Sequence, residues 1–196
     1  MPQPVTLMRF FAALVTGIAL MCLAPAAPAQ DGEDDPATYD RETVMDQATD
    51  FLGAGAEGVG KAVESLFQRF GRPNAYITGS EAGGGLVVGL RYGGGQLRHK
   101  IEGDRPIHWT GPSIGFDAGA DAAKVFGLVY NVYDTEEVYT RIGAIEGSFY
   151  YVGGLGISVY ANDTLRIAII RLGAGLRAQA TVGYMKFSKE KTYMPF

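Results

Sequence analysis

Three side chains near the middle of the sequence carry groups that could form a catalytic site. His108, Ser113 and Asp117 lie within one short stretch, and an imidazole, a hydroxyl and a carboxylate are the groups of a nucleophilic triad. A triad is defined by its geometry, however, and nothing around Ser113 resembles the strand–turn–helix elbow that presents a nucleophilic serine. We therefore predict no catalytic residue and a protein that is not an enzyme.

The sequence also gives no indication of a metal site. It contains two histidines and one cysteine, and a zinc site of the usual kind would need both histidines together with carboxylates. His99 alternates with Leu97 and Ile101. This alternation favours a residue of the core or its rim that is held by a hydrogen bond.

Two glycine patterns resemble dinucleotide-binding fingerprints but stand in the wrong context. Residues 53–58 (GAGAEG) follow a helical pattern, and residues 173–178 (GAGLRA) lie between two predicted strands. A phosphate-binding loop needs a strand before it and a helix N-terminus after it. We expect no cofactor.

Aromatic residues provide the candidates for ligand binding. They are frequent in the predicted sheet, where core packing is their usual role, but a small eight-stranded barrel can also hold one ligand. Trp109 lies beside a predicted Gly-Pro turn. The candidate ligand-binding residues are Trp109, Tyr130 and Tyr151.

A helical segment is predicted at residues 41–71. Val59, Val63 and Leu66 recur at three- and four-residue steps, and residues 44–52 carry a similar apolar stripe. Glycines between the two stripes weaken the join, so we expect two helices or one bent helix.

From residue 75 onward the apolar pattern has the period of two that is typical of strands. Residues 124–133 are apolar on both faces, which predicts cover by the core on one side and by the helices on the other. Gly93–Gly95 predicts a hairpin turn. We expect about eight strands, near residues 75–81, 86–92, 95–101, 112–117, 124–133, 147–153, 155–161 and 165–187; a split of the last one at Gly173–Gly175 stays open. Closure removes exposed sheet edges, so the predicted fold is mainly β: a small closed antiparallel barrel, residues 75–196, with one or two N-terminal helices packed against it.

The N-terminal 29 residues have the features of a secretory signal peptide. Arg9 precedes an apolar run at residues 10–23, and an Ala-x-Ala cleavage sequence follows at Ala27-Pro28-Ala29. Met21 before Cys22 argues against a lipoprotein, because lipidation requires a small residue at that position. Residues 30–40 are acidic and predicted to be a disordered tether. The expected location is the periplasm, reached across the inner membrane.

Charge and the chain's C-terminal pattern bear on the possible partners. The formal net charge is −4, which disfavours binding to nucleic acid. Phe196 ends the chain as in many outer-membrane barrels, but Pro195 and polar residues at alternate positions upstream do not fit an insertion signal. The strands predicted at residues 75–101 are also short beside the roughly ten residues of a spanning strand. We expect no membrane span after signal cleavage.

One long segment resembles a known family. Residues 109–126 (WTGPSIGFDAGADAAKVF), with 128–131 (LVYN), 145–148 (IEGS), 151–154 (YVGG), 175–177 (GLR) and 182–184 (VGY), are similar to the envelope integrity protein A (EipA) family of alphaproteobacteria. The resemblance covers about residues 76–196. It implies a soluble periplasmic eight-stranded barrel that is needed for envelope integrity, and it assigns no residue a role. The Gly-Pro-Ser and Val-Phe pieces are faintly similar to SYLF lipid-binding domains.

The sequence therefore predicts a non-enzymatic periplasmic barrel that supports the cell envelope through a protein, lipid or glycan partner. Two alternatives stay open: a lipid-binding module of SYLF-like type and an integral outer-membrane barrel.

Overall fold

The computed structural model describes residues 35–53, 56–85, 88–114, 117–145, 149–173 and 183–192. The predicted signal peptide, residues 1–29, and the first part of the predicted tether, residues 30–34, lie outside the described residues. No helix in the described part of the chain combines the length and apolar character needed to span a membrane.

Two helices precede the sheet. Helix α1, Arg41–Leu52, is capped at its N-terminus by Asp40, whose carboxylate accepts a hydrogen bond of 2.8 Å from the backbone N–H of Thr43. It ends at Gly53, whose φ of +63° is a left-handed conformation that favours glycine. Helix α2, Ala56–Phe70, follows.

Nine strands and a short 3₁₀ helix follow in the described part of the chain. The strands are β1 (Ala75–Gly85), β2 (Val88–His99), β3 (Gly103–Ile114), β4 (Asp117–Tyr130), β5 (Arg141–Ala144), β6 (Tyr150–Val152), β7 (Leu155–Ala161), β8 (Arg166–Gly173) and β9 (Tyr184–Ser188), and the 3₁₀ helix is Thr135–Val138. Asp134 caps the 3₁₀ helix, and its side chain accepts a hydrogen bond from the backbone N–H of Glu136.

The strands form one antiparallel sheet in the order β5-β9-β3-β2-β1-β4-β8-β7-β6. Strand β5 also pairs with β7, through Gly143 opposite Ala161 and Ala144 opposite Tyr160. This pairing closes eight strands into a barrel and leaves β6 as an additional strand on the edge of β7. The prediction of a small closed antiparallel barrel with helices packed against it is confirmed.

Two apolar clusters divide the residues inside the barrel from those outside it. The outer cluster joins both helices, through residues such as Val44 and Leu66, to Phe126, Leu128 and Tyr130 of β4. The inner cluster holds the alternate residues of β4, Val125 and Val129, and also Trp109 and Phe187. Strand β4 is therefore covered on both faces, by the barrel core and by the helices, as its apolar pattern predicts.

The structure corrects the prediction at two glycine segments. Gly93–Gly95 does not form a hairpin turn but lies inside β2, where Gly95 is opposite Gly79 of β1. The predicted Gly-Pro turn beside Trp109 is also wrong, because Gly111 and Pro112 lie within β3, opposite Arg91 and Leu90.

Strand lengths and strand number also differ from the prediction. Strands β1 and β2 are 11 and 12 residues long, so the argument that these strands are too short to span a membrane is wrong. The segment predicted at 165–187, for which a split at Gly173–Gly175 was allowed, contains two described strands: β8 ends at Gly173 and β9 begins at Tyr184. The sequence pattern missed β5 and most of β3.

Candidate functional site

A cluster of charged side chains lies inside the barrel. Glu81 of β1, Arg91 of β2 and Arg171 of β8 are each at most 5 % exposed. They point inward because they alternate with residues of the outer wall; Arg171, for example, follows Ile170 of the outer apolar cluster. Three strands thus place their polar groups within one apolar interior.

The carboxylate of Glu81 is the centre of this cluster. Its Oε1 lies 2.9 Å from Nε of Arg171 and 3.1 Å from Nε of Arg91. Its Oε2 accepts a hydrogen bond of 2.9 Å from Nε1 of Trp109. Arg171 donates a further hydrogen bond of 2.8 Å, from Nη1 to Oγ of Ser158 on β7. We call these five residues the ionic network.

Electrostatics keep the ionic network charged. Burial raises the pKa of Glu81, but the guanidiniums of Arg171 and Arg91, with the hydrogen bonds from Arg171 and Trp109, outweigh burial and lower that pKa below its usual range. Burial lowers the pKa of Arg171, but the Glu81 carboxylate raises it by more, so this pKa lies above its usual range. A carboxylate held ionised between guanidiniums is a poor general acid or base near neutral pH, so the network's chemistry is that of a structural ion pair.

The indole of Trp109 fills space that two glycines leave free. A Cβ on Gly93, which is opposite Trp109 across the β2–β3 pair, would overlap the indole ring, and a Cβ on Gly79 would lie 2.9 Å from Cη2 of that ring. Neither position can carry a side chain while the ring is there. Gly93, at the centre of β2, therefore leaves the space that the ring of Trp109 occupies.

A cleft lies over the outside of the same wall. It has a volume of about 420 Å³, and Gly93 and Gly94 form its floor. Its rim comes from three wall strands and from the segment after β9; the rim residues are Ser80, Ala82, Tyr92, His108, Lys191 and Thr192. Glu81 and Trp109 adjoin it from within the wall. We call this feature the outer cleft.

The rim is held in place by hydrogen bonds from side chains to backbone carbonyl oxygens. Nδ1 of His108 lies 3.1 Å from the carbonyl oxygen of Lys189, which ties β3 to the segment after β9. A Cβ on Gly94 would lie 2.9 Å from Cδ2 of His108, so the imidazole extends across this glycine. A hydrogen bond of 2.7 Å from the hydroxyl of Ser188 to the carbonyl oxygen of Glu190 shapes the same segment.

The structure does not bring the three ligand-binding candidates together. Trp109 is inside the barrel and 2 % exposed. Tyr130 is on the outer wall beneath α2, with its ring centroid 5.6 Å from that of Phe70. Tyr151 is on β6, 44 % exposed, with its ring edge-on to Phe149. Of the three, Trp109 alone borders the outer cleft.

The histidines have structural contacts. His99 is buried, with Nε2 3.2 Å from the carbonyl oxygen of Val132, and its Nδ1 accepts from the backbone N–H of Glu102 at 3.1 Å. The prediction of a core histidine held by hydrogen bonding is confirmed. Among the described residues, no group of three or more histidine, cysteine, aspartate or glutamate side chains is placed to hold a metal ion. Ser113 and Asp117 lie on β3 and β4, and their side chains are outside the described part of the structure.

Sequence reasoning missed the ionic network. Glu81 lies in a glycine-rich stretch with no apolar alternation around it, and Leu90 and Tyr92 suggested that Arg91 faces water. In the structure the reverse holds, because Arg91 is 1 % exposed and Leu90 is 37 % exposed. The signal available in the sequence was Arg91 itself, a charged residue at a position that alternates in step with the inward-facing residues of the same strand.

Comparison with known proteins supports the fold and identifies a family. The family model described as envelope integrity protein A matches residues 37–196. A solved structure, a β-barrel-like uncharacterised protein from Brucella abortus, is 38 % identical, with a TM-score of 0.71 over 81 % of this chain and 99 % of that one. No curated protein matches the sequence significantly. Since the family model spans the helices and the barrel, the chain belongs to the envelope integrity protein A family.

Proposed function

We propose that this protein is a soluble, non-enzymatic periplasmic barrel that supports cell-envelope integrity by binding an envelope component on its outer surface. Membership of the envelope integrity family supports the envelope role. The features of residues 1–29 favour export to the periplasm.

The packed interior is the observation that carries the proposal. Inward-facing side chains such as Ile107, Tyr160 and Phe187 are at most 2 % exposed, and the ionic network occupies the space beside them. A barrel that holds a ligand needs a lumen, whereas the described part of this interior consists of contacting side chains. Binding on the outside is therefore favoured over binding of a lipid within the barrel.

The outer wall favours a soluble protein over an integral membrane barrel. Helices cover the wall at β1, β4, β7 and β8. On the strands that they leave uncovered, many of the residues that alternate with inward-facing ones are polar, among them Gln96, Arg98, Asp104 and Lys186, and Leu90 is the large apolar exception on β2. A membrane barrel has the opposite arrangement, with an apolar outer band and a polar lumen.

Fractionation and deletion test the proposal. We expect the protein to be released with the periplasmic contents by osmotic shock, at a mass that corresponds to cleavage before Gln30. Cells that lack it should become sensitive to detergent and to antibiotics that an intact outer membrane excludes. Retention in outer membranes after a carbonate wash would contradict the soluble barrel, and unchanged sensitivity of the deletion strain would contradict the envelope role.

A direct assay tests the lipid alternative. Native mass spectrometry of the protein purified from its own envelope would reveal a bound lipid as an added mass. We expect the mass of the polypeptide alone.

A further inference from the structure

We propose that the outer cleft is a carbohydrate-binding site that accepts a mono- or disaccharide unit of an envelope glycan. This inference rests on the proposed function, because it names the class of envelope component that the outer surface binds.

The floor of the outer cleft is suited to a flat ligand. Gly93 and Gly94 are successive residues of one strand, so neither face of β2 carries a side chain at this point, and Ser80 lies opposite Gly94 on β1. A pyranose ring has a broad C–H face that can approach such a backbone floor closely. Gly93 cannot be replaced by a larger residue, because the ring of Trp109 lies behind it. Gly94 faces outward, and the close contact of an alanine methyl group there would be with the imidazole of His108.

The rim offers the groups that bind sugar hydroxyls. Ser80 and Thr192 supply hydroxyls that both donate and accept hydrogen bonds, and His108 supplies an imidazole whose Nδ1 is already engaged with Lys189. Tyr92 adds an aromatic ring with a polar end, a residue type that combines stacking with hydrogen bonding. Lys191 adds a cation that can contact a hydroxyl or a carboxylate substituent. A sugar carries its hydroxyls around the edge of the ring, so the ring face can lie on the bare floor while the hydroxyls reach the polar groups of the rim.

The size of the outer cleft selects among ligands. Its volume of about 420 Å³ lies at the small end of the range of roughly 300–1,000 Å³ for small-molecule pockets. This space holds one or two sugar rings but not a lipid with its acyl chains. Because the floor carries no side chains, only the rim residues can form side-chain hydrogen bonds with the ligand. We therefore expect weak binding to a single sugar unit and tighter binding to a polymer that presents many units.

Two-dimensional NMR of the ¹⁵N-labelled protein tests this directly. The probes are maltose, N,N′-diacetylchitobiose and digalacturonic acid, each at up to about 20 mM, which exceeds the millimolar Kd of a weak complex. We expect saturable shifts of the Gly93 and Gly94 amides with at least one of the three. Fluorescence of Trp109, the one tryptophan of the sequence, should change over the same concentration range because its ring lies behind the floor.

Two variants and a matched control locate the binding. Gly94→Ala raises the floor and displaces His108, and Ser80→Phe fills the cleft from an exposed position on β1. Each is expected to weaken binding at least about tenfold. Gly143→Ala makes the same change as Gly94→Ala on β5, where nothing lies within 4 Å of the new Cβ, and should leave the affinity unchanged. Ser80→Phe keeps the test valid if Gly94→Ala does not fold.

Several outcomes would overturn the proposal. These are no saturable shift with any of the three disaccharides, shifts that map away from the outer cleft, equal binding by the Ser80→Phe variant, or a cleft response to inorganic phosphate in place of the sugars. Any of them can occur while the deletion strain still loses envelope integrity, in which case the proposed function stands and the carbohydrate site does not. If the deletion strain is unaffected and the cleft binds sugar, the carbohydrate site stands and the proposed function does not.

Discussion

Replacing Glu81 by glutamine is expected to destabilise the barrel by about 3–5 kcal/mol, the usual cost of removing one member of a buried ion pair. The two side chains have nearly the same shape, so the variant tests charge and not packing. Glu81 is 5 % exposed, and the loss leaves the guanidinium of Arg171 without its carboxylate. Glutamine keeps one acceptor oxygen, which cannot face both the guanidiniums and Nε1 of Trp109, the donor of the 2.9 Å hydrogen bond to Glu81.

The magnitude is large compared with the stability of a domain of this size. Domains unfold with a free energy of about 5–15 kcal/mol, and each kcal/mol shifts the midpoint of a 150–250-residue domain by roughly 2–4 °C. The Glu81→Gln variant should therefore unfold about 6–20 °C below the wild type. The ion pair sits in the interior, where water does not screen it, so the effect should persist at high salt.

Urea and thermal unfolding, followed by circular dichroism and by the fluorescence of Trp109, measure this effect. Glu57→Gln is the matched control, since Glu57 forms an ion pair of 2.6 Å with Lys61 on the surface of α2, where the Glu57 side chain is 83 % exposed. Solvent screens that pair, so its removal should leave the midpoint nearly unchanged.

The dependence on pH gives a second test with a defined sign. Because the pKa of Glu81 is lowered in the folded state, its ionisation stabilises the fold above about pH 4.5, and this contribution is lost as the pH falls below that value. The difference between wild type and Glu81→Gln should narrow over that acid range. A loss below about 1 kcal/mol at neutral pH, or a difference that stays constant down to the acid limit of folding, would refute the reasoning.

Three further substitutions have expected outcomes. Gly93→Ala should lower the unfolding midpoint and change the Trp109 emission, because the new methyl group overlaps the indole; an unchanged spectrum would show that the ring does not lie there. Asp40→Ala removes the cap that accepts from Thr43 and should cost about 1 kcal/mol in urea unfolding, while Asp40→Asn should retain most of that stability. Leu66→Ala should cost about 2–5 kcal/mol, since Leu66 is fully buried between helix and barrel; a smaller loss would mean that α2 does not stabilise the wall.

Local patterns predicted the fold class better than the strand boundaries. Strand β4 was recognisable because both of its faces are apolar. The glycines at 93–95 predicted a turn because consecutive glycines are a common turn signal. At Gly93 the cause is the Trp109 ring, which belongs to the neighbouring strand, and a pattern within one strand does not contain it.

The candidate site was harder to predict than the fold. The pairing of Glu81 with Arg171 joins strands distant in sequence, and the outer cleft depends on Lys191 and Thr192 lying beside β3 after the chain has passed through nine strands. Trp109 was selected because it lies beside a predicted Gly-Pro turn. That turn is wrong, but the structure places Trp109 beside both features, although its main contacts are inside the barrel. Tyr130 and Tyr151 were selected for residue type alone, which does not distinguish packing from binding.

The position of β9 between β3 and β5 has a consequence for the order of folding. The barrel cannot close until the C-terminal strand has arrived, because β9 supplies both of the pairings that join those two strands, for example His108 with Ser188 and Ile142 with Met185. Closure therefore depends on contacts that are long-range in sequence, which form slowly. A chain that stops before residue 184 should present two open strand edges. Such edges are prone to aggregate, so the chain is most vulnerable before β9 has joined β3 and β5.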